Sequence, residues 1–383
     1  MTVNRTIEES LEEKEKKLIA KVEKKHGKTV AQLREERNKR ITDTVQLKIP
    51  DRVPVDIAFG YFPAKYLGIP VSTAYYDYDT WLDATMKTAV DFEPDGIWYI
   101  NGFSPGRAME YIDPKSVKWP GRGAPPNHGH QAIEGEWMKP DEWDAYFEDR
   151  GDYLLRVYLP RVAGVMAPFK NFPKLSSLGF GYRGAMVLAE AFATPEMAAA
   201  IAQLRKAGEE SLKWRARSAA FNKHIENLGF PMNGAAGGGG APFDSISDSL
   251  RGMAGTMIDM YRQPDKLMKA MDEILQRTLA RIVAMPRRTD NPRAFMALHR
   301  GSDGFMSLKQ FEKFYWPGLR KVILAMIDKG IVPAIFFEGN WTARLEYLAD
   351  LPRGKVLGHF DLTDIFRAKE VLRDRMCIRG NVP

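Results

Sequence analysis

Short apolar runs alternate with amphipathic stretches in the last part of the chain, from Ile331 to Pro383. Three of these runs, IVPAIFFEGN, KVLGHFD and MCIRGN, lead to the polar residues Glu338, His359 and Asn381. An apolar run followed by a longer amphipathic segment is typical of βα units on a parallel sheet. In a closed (β/α)₈ barrel the C-terminal ends of the strands share one mouth, so we expect these polar residues to converge there.

The same alternation occurs earlier in the chain and predicts further strands. DRVPVDIAF (51–59) is predicted as the first strand and is followed by Tyr61 and Phe62, and DGIWYIN (95–101) is predicted as a second strand that ends at Asn101. AFMALHRGSDG supplies another strand, and its polar end contains His299, Arg300, Ser302 and Asp303. We therefore predict an α/β fold in which residues 46–383 form one (β/α)₈ TIM barrel.

Residues 1–45 follow a different pattern and are predicted as a helical extension. Acidic and basic residues are interleaved at helical spacing, as in EEKEKKLIAKVEKK, which predicts one long charged helix from about residue 6 to residue 40. Much of the formal net charge of +7 lies here, but mixed signs form a solvated surface, so no nucleic-acid partner is expected. The helix could dock on the barrel or on a second subunit of a homodimer.

Residues 102–149 interrupt the barrel pattern with a long excursion rich in proline and glycine. Its irregularity predicts a lid or a wall of the mouth instead of a barrel helix. His128 and His130 could bind a metal, but loop histidines without an evident third ligand are more often solvated. The run Gly237 to Gly240 lacks the ending of a phosphate-binding loop and is predicted as a ligand-contacting loop or a hinge.

Hydropathy and cysteine content predict a cytoplasmic protein with no membrane partner. No apolar run is long enough to cross a bilayer, and the first residues lack the apolar core of a signal peptide. The only cysteine, Cys377, excludes an intramolecular disulfide and fits a reducing compartment. It lies within a predicted strand, where we expect it to be buried by packing.

Four segments carry a resemblance to a known family. They are DRVPVDI, GAPFDSISDSLRG with YRQPDKLMKAMDEIL, SLKQFEKFYWPGLRKVI, and the closing GHFDLTDIFRAKEVLRDRMCIRGNVP. Together they resemble the uroporphyrinogen decarboxylase superfamily over roughly residues 36–383. The resemblance implies a (β/α)₈ barrel and either decarboxylation of a tetrapyrrole or methyl transfer to a corrinoid protein. Family members continue past RGNVP for a helix, an eighth strand and a last helix, so the resemblance implies a C-terminally incomplete barrel.

Departures from the family motifs distinguish these activities. The decarboxylases carry an arginine pair and an aspartate at the first two strand ends, where this chain has AFGYFPAKY and DGIWYINGF. A tetrapyrrole with many carboxylates would lose its charge-matched partners, which disfavours decarboxylation. The methyltransferases typically hold zinc with His-x-Cys at the strand end that reads AIFFEG here, so Phe336 and Glu338 stand at those positions. Glu338 with His359 resembles the Glu/His zinc ligands of O-demethylating methyltransferases, although their further glutamate would fall at Ile323.

Glu338, His359 and Asp361 are the predicted catalytic residues because they stand at adjacent strand ends. Glu338 and His359 could bind Zn²⁺ with one open position, and the metal would polarise an ether oxygen. Without a metal, His359 would be the acid that protonates the leaving oxygen. The alternative is structural, with Asp361 capping the helix that starts near Thr363. Surface ion pairs are expected for Arg344, Glu346 and Arg367.

An apolar pocket at the mouth is predicted for the substrate. Its expected wall is aromatic and consists of Tyr61, Phe62, Phe336, Phe337 and Trp341. Polar contacts are expected from Asn101, His299, Arg300, Asp303 and Asn381. The predicted activity moves a methyl group from a small, methoxylated or aromatic donor to the corrinoid of a partner protein. The alternatives are a tetrapyrrole carboxy-lyase and a non-catalytic corrinoid-binding barrel.

Overall fold

The computed structural model describes residues 2–98, 103–234, 238–285 and 292–381. The strands within these ranges, β1 to β10, are Asp56–Ile57, Gly96–Trp98, Val117–Pro120, Gly123–Ala124, Gln131–Ala132, Met232–Asn233, Arg293–Leu298, Val332–Phe337, Leu357–Phe360 and Cys377–Gly380. The α-helices, α1 to α18, are Thr2–His26, Val30–Val45, Phe62–Leu67, Thr73–Tyr76, Tyr78–Phe92, Gly106–Ile112, Trp143–Glu148, Arg150–Tyr153, Leu159–Val162, Tyr182–Ala193, Pro195–Asn227, Pro242–Ser249, Gly252–Arg262, Pro264–Ala284, Leu308–Gln310, Trp316–Asp328, Leu345–Ala349 and Ile365–Leu372.

Seven of the strands run parallel and form two sheets, one in the order β1-β2-β6 and the other in the order β10-β9-β8-β7. Side chains link the sheets at both ends. Arg293 on β7 donates a hydrogen bond of 2.8 Å to Asn233 on β6, and Arg379 on β10 lies 3.5 Å from Asp56 on β1. The predicted α/β class is confirmed. Among the described residues no backbone pairing closes the ring, so the closed barrel stays a prediction.

Strand β8 is buried on both sides, as its continuous apolar sequence indicates. Ile335 and Phe337 belong to the large core beneath the helices that flank the sheet, chiefly α12, α14 and α16. Ala334 belongs to a separate, smaller cluster inside the strands. Successive side chains of a strand face opposite sides, so Phe336 shares the inner face with Ala334. The C-terminal ends of the parallel strands form one edge, which we call the mouth.

Helix α2 fills the interior at the opposite, N-terminal ends of the strands. Ile41 and Val45 form a buried cluster with Trp98, Leu357 and Cys377. Leu357 and Cys377 are the first residues of β9 and β10, so the cluster lies at the base of the interior. The packing role predicted for Cys377 is confirmed, and burial raises the pKa of its thiol to about 12.

The N-terminal extension docks on α5 of the same chain. Three lysines of α1 pair with three carboxylates along α5 and at its end: Lys14–Asp83 at 3.3 Å, Lys21–Asp91 at 3.0 Å and Lys25–Glu93 at 2.7 Å. These pairs are exposed, and each stabilises the docking by about 1 kcal/mol at most. The second subunit that the sequence also allowed for this helix stays untested.

The prediction of one long N-terminal helix is wrong. Helix α1 ends at His26, and Gly27 follows with a φ of 62°, a left-handed conformation that ends helices. Helix α2 then begins with a capping box, in which the Thr29 side chain accepts from the Gln32 N–H and the Gln32 side chain accepts from the Thr29 N–H. The break lets α2 turn from the surface into the interior.

The excursion of residues 102–149, described from Phe103 onward, has more regular structure than its composition predicted. It contains α6, a small sheet in the order β4-β3-β5, and α7. Buried Arg251 holds the excursion against α12 and α13, because it pairs with Glu136 at 2.5 Å and donates a hydrogen bond to the Met138 carbonyl. On the other side His130 lies 3.0 Å from the Tyr61 hydroxyl, near the end of β1. The excursion therefore reaches two separate parts of the mouth.

No single helix in the described ranges has the length and hydropathy needed to cross a membrane. Helices α10 and α11, which meet at 81°, satisfy that criterion only as a bent pair, by length and composition alone.

Candidate active site

The ends of β7 and β8 bring two predicted site residues together at the mouth. His299 directly follows β7, and Glu338 directly follows β8. Because these strands are parallel neighbours, His299 Nε2 and Glu338 Oε2 lie 3.8 Å apart. Both side chains are partly exposed, so a ligand at the mouth can reach them.

Asp248 orients the His299 ring. Its Oδ2 lies 2.6 Å from His299 Nδ1, which leaves Nε2 directed toward Glu338. The hydrogen bond to Asp248 raises the pKa of His299, and the charges of Asp248, Asp244 and Glu338 act in the same direction, while burial opposes them. The imidazolium form is therefore favoured, and its free Nε2–H can donate a proton.

Asp244 fixes the backbone beneath this histidine. It is buried, and it accepts hydrogen bonds from the His299 N–H at 2.9 Å, the Arg300 N–H at 3.2 Å and the Tyr315 hydroxyl at 2.7 Å. Burial raises the pKa of the Asp244 carboxyl to about 6. Three donors on one carboxylate hold the turn after β7 in a single position, which fixes where His299 starts.

Arg300 links the end of β7 to the excursion. Its Nε donates to Ser247 Oγ at 2.9 Å, and its Nη2 lies 3.3 Å from Asp248 and 4.0 Å from Glu134. Glu134 also accepts a hydrogen bond from the Met253 N–H. The Arg300 charge is thus matched by protein carboxylates at the mouth.

His359 lies in the interior, within β9 and beside Phe336 of β8, with 4.8 Å between the ring centroids. The pKa of His359 is lowered to about 4, chiefly by burial and also by the Arg379 charge, while the Asp361 charge opposes both. The ring is therefore neutral near pH 7, and it can form hydrogen bonds but is not the charged acid that the sequence suggested.

A polar network lies beside His359 on the inner face. Arg379, the register neighbour of His359 on β10, pairs with Asp56 of β1. Asp56 also accepts hydrogen bonds from Asn233 at 2.9 Å and from the Trp98 indole N–H. Burial raises the pKa of Asp56, and the Arg379 charge opposes that shift.

Two further carboxylates predicted for the site tie loops together. Asp361 accepts a hydrogen bond from the Gly339 N–H at 3.1 Å, and Asp303 pairs with Arg344 at 2.5 Å. The predicted helix cap at Asp361 is wrong, because Asp364 caps α18 through the Phe366 and Arg367 N–H groups. The surface position predicted for Arg344 is also wrong, since its side chain is 3% exposed. Arg367 and Glu346 form the expected exposed pair at 3.2 Å.

The aromatic residues predicted as one pocket wall lie in separate places. Phe336 faces the interior, whereas Phe337 and fully buried Trp341 pack in the outer core, with 4.9 Å between their rings. At the surface Phe62 stacks on Tyr66 and contacts Phe92 edge to face. The prediction of a single wall is wrong, because neighbouring residues of β8 face opposite sides of the sheet.

Three other residues predicted for the site are Tyr61, Asn381 and Asn101. Tyr61 lies near the mouth, with its hydroxyl 2.8 Å from that of Tyr75. Asn381 donates to the Thr363 carbonyl at 3.1 Å and thereby ties the end of β10 to the segment before α18. Asn101 lies outside the described residues, as does Gly237 of the glycine run.

The predicted zinc ligands have different neighbours in this arrangement. Glu338 pairs with His299, whereas His359 lies against Phe336 and beside Arg379. In the part of the chain that the structure describes, no group of three or more His, Cys, Asp or Glu side chains is placed to hold a metal ion. Zinc binding at Glu338 and His359 stays a prediction.

Sequence reasoning missed Asp244, Asp248 and Tyr315. A signal for the two aspartates was present, since PFDSISDS places them four residues apart on one face of α12. Tyr315 lies in a π-helical segment, Phe311–Tyr315, whose altered period directs its side chain into the core. That change of period leaves no simple trace in the hydrophobic pattern.

Comparisons with known proteins identify the family and a similar fold. A family model described as uroporphyrinogen decarboxylase (URO-D) matches residues 178–383, more than half of the chain. No curated protein matches the chain in sequence. Among solved structures, a methyltransferase from Methanosarcina mazei is similar, with a TM-score of 0.51 and 15% identity over 90% of this chain and 82% of that chain. At that identity the likeness supports the fold.

Proposed function

This chain belongs to the uroporphyrinogen decarboxylase (URO-D) family, and from that premise we propose that it is a methyltransferase. The methyl donor is a small methoxylated aromatic compound, and the acceptor is the cobalt of a corrinoid carried by a partner protein. The structural similarity to a methyltransferase supports this choice within the family. We place the donor at the mouth of a (β/α)₈ barrel, the architecture in which strand ends carry the chemistry.

The observation that carries the proposal is the Asp248–His299–Glu338 cluster. When a methyl group leaves an aryl ether, the oxygen retains the bonding electrons and needs a proton. His299 Nε2 is held at the mouth by the 2.6 Å contact of Nδ1 with Asp248, and three carboxylates favour its protonated form. The O–CH₃ bond breaks, a reduced cobalt supplies the electron pair that binds the methyl group, and His299 gives its proton to the oxygen.

The inner face supplies a site for the donor ring. Phe336 offers an apolar face, and neutral His359 beside it can form a hydrogen bond with a ring substituent. A neutral partner does not attract water or anions as a charged one would, so a weakly polar aryl ether is suited to this position.

The pairing of the arginines weighs against a polycarboxylated tetrapyrrole as substrate. Arg300 is matched by Asp248 and Glu134, and Arg379 is matched by Asp56. A substrate with many carboxylates would have to displace these protein carboxylates, at a cost in desolvation and lost ion pairs. Decarboxylation is therefore the second candidate, and family membership supports it.

The test is a methyl-transfer assay with free cob(I)alamin as acceptor and 2-methoxyphenol and related aryl methyl ethers as donors. Absorption spectra report methylcobalamin, and chromatography reports the demethylated phenol. We expect turnover by the wild type and a loss in kcat of at least about a hundredfold in His299→Gln, because general acid catalysis is typically worth that much. The matched control is His26→Gln, whose histidine forms an exposed pair with Glu93, which precedes β2 on the side opposite the mouth.

Other outcomes would contradict the proposal in distinguishable ways. Carbon dioxide release from uroporphyrinogen, with no methyl transfer, would establish the carboxy-lyase. Cobalamin binding without turnover of any ether would establish a non-catalytic corrinoid-binding barrel. Methyl transfer at an unchanged rate in His299→Gln would leave the enzyme class intact but remove His299 from the reaction.

A further inference from the structure

A cavity of about 230 Å³ lies between α4, α6, α11 and residues 103–105, which precede α6. One face of α11 lines it with Glu210, Lys213, Trp214 and Arg217, which follow each other at the spacing of a single helical face. The opposite wall and the floor come from Tyr75, Tyr76, Ser104 and Arg107. None of these residues belongs to the catalytic cluster at β7 and β8.

The walls of this cavity are held in place by internal contacts. The Trp214 indole N–H donates to the Phe103 carbonyl at 2.5 Å, and the Ser104 N–H donates to the Ala74 carbonyl at 2.8 Å. A Cβ at Gly106 would lie 2.7 Å from the Tyr75 carbonyl oxygen, so α6 approaches α4 more closely than another residue would allow. The cavity is thus formed before any ligand arrives, which lowers the entropy cost of binding.

The charge of the lining is positive. It contains Arg107, Lys213 and Arg217 but a single carboxylate, Glu210, which pairs with Lys213 at 2.7 Å. Among the described residues, no carboxylate lies within ion-pair distance of Arg107 or Arg217. The Arg217 guanidinium lies over the Tyr78 ring, 5.4 Å from its centroid. This contact does not neutralise the guanidinium charge, which can therefore still pair with an anion.

We propose that this cavity binds a small organic anion in which a carboxylate or phosphate group is attached to a single flat ring. The anionic group lies between Arg107 and Arg217, because guanidinium groups bind such oxygens through paired hydrogen bonds. The ring lies against Trp214 and Tyr76, the aromatic part of the wall. The volume accommodates one ring with its substituent and excludes a tetrapyrrole.

The test is isothermal titration calorimetry on the full chain at constant ionic strength, with phenyl phosphate, benzoate and inorganic phosphate as separate probes. We expect the two ring anions to bind and inorganic phosphate to bind more weakly. Arg107→Gln and Arg217→Gln should each weaken the ring anions about tenfold, the loss expected for one charge-assisted hydrogen-bonded group. Arg215→Gln is the matched control, since Arg215 is exposed on the same helix and lies outside the lining.

Three results would overturn the proposal. The first is no heat of binding for either ring anion at millimolar concentration. The second is an equal loss of affinity in Arg215→Gln, which would mean that the net charge of the protein alone accounts for the effect. The third is equal affinity for inorganic phosphate and phenyl phosphate, which would remove the ring from recognition. Circular dichroism melting of each variant separates loss of binding from loss of folding, and the two arginines on different helices give independent readings.

Discussion

Two histidines near the strand ends have pKa values shifted in opposite directions by their surroundings. His299 stands among carboxylates, and its hydrogen bond to Asp248 raises its pKa. His359 is half-buried beside Arg379, and this burial is the main cause that lowers its pKa to about 4. Titratable groups whose environments separate their pKa values usually divide the chemical tasks between them. At this mouth His299 is suited to carry a proton, and His359 is suited to remain a neutral hydrogen-bonding partner.

Substitution of Asp248 by asparagine tests this division at a single side chain. Asp248→Asn keeps a hydrogen-bonding group near His299 Nδ1 but removes the charge that stabilises the imidazolium. An acid must be protonated to act, so activity falls as pH rises through the pKa of His299. The variant should move that alkaline limb of the kcat/KM profile to lower pH and reduce the rate near pH 7 about tenfold or more.

The control for this measurement is Asp272→Asn, an exposed carboxylate on α14. An Asp248→Asn profile that keeps its alkaline limb at the wild-type pH, with only its height reduced, would contradict the electrostatic role of Asp248. It would leave a purely structural one.

At the residue scale, strand ends were predictable and side-chain partners were not. Apolar runs located β7, β8 and β9, so the positions of His299 and Glu338 at one edge followed from the pattern. The contact between Asp248 and His299 depends on how α12 packs over the end of β7, which no local pattern records. Phe336 and Phe337 illustrate an avoidable error, because the period of a strand already places neighbours on opposite faces.

A single buried side chain, Arg251, anchors the excursion to α13. Arg251 is 1% exposed and pairs with Asp259, also 1% exposed, at 2.6 Å, while it holds Glu136 and the Met138 carbonyl of the excursion. Trp143 of α7 donates to the same Asp259 at 3.1 Å. One guanidinium thus joins two segments that are far apart in the sequence, the excursion and α13.

Removal of this guanidinium should destabilise the protein strongly. Arg251→Ala leaves Asp259 buried without its cation, and breaking a buried pair from one side typically lowers the free energy of unfolding by about 3–5 kcal/mol. Urea unfolding followed by circular dichroism measures the change. Lys139→Ala is the control, because its exposed pair with Glu136 at 3.5 Å should contribute less than about 1 kcal/mol.

A double variant tests whether the lost stability comes from the unpaired charge of Asp259. Arg251→Met with Asp259→Asn removes both charges but keeps an acceptor for Trp143, and it should recover part of the lost stability. If the single variant lost less than the Lys139→Ala control, the anchoring role of Arg251 would be excluded.

At the element scale, the prediction of one continuous N-terminal helix missed a break whose motif is present in the sequence. The turn Gly27 with Thr29 and Gln32 has the composition of a helix stop followed by a capping box, and the structure has both. The excursion was predicted as a lid without regular elements, yet it contains α6 and a small sheet. Its strands are two to four residues long, too short to produce a readable alternation.

At the scale of the whole molecule, His359 couples stability to pH. Its pKa is about 4 in the folded protein against 6.5 for an unperturbed histidine, so the unfolded chain binds a proton that the folded chain does not between these values. This contribution is fully present above the higher value and is lost as pH falls toward the lower one. Because the ring is partly exposed, the expected loss between about pH 7 and about pH 5 is discounted to about 1 kcal/mol.

The measurement compares urea unfolding of wild type and His359→Gln at both pH values. The variant should lose less stability on acidification than the wild type. Asp244, whose pKa is raised to about 6, contributes with the opposite sign, but that effect is common to both proteins and cancels in the comparison. Parallel losses in the two proteins would refute the coupling, and His26→Gln serves as the exposed control.

The βα repeat in the sequence predicts the order of the parallel strands, but it does not predict how the sheets close into a ring. Closure depends on how β1 and β10 approach each other, and in the described residues side chains such as Asp56 and Arg379 make that approach. An ion pair between residues at the two ends of the chain has no local signature. Predictions of a repeat are therefore stronger than predictions of the contacts that join its ends.

The position of helix α2 affects how a ligand can enter and leave the interior. Its side chains Ile41 and Val45 fill the interior at the N-terminal ends of the strands, so in the predicted closed barrel a ligand would enter and leave only through the mouth. If a large acceptor protein covers the mouth during the reaction, the demethylated donor cannot leave until the acceptor protein dissociates. Under the proposed function, this closed end would impose a fixed order of binding and release on the methyl donor and the acceptor protein.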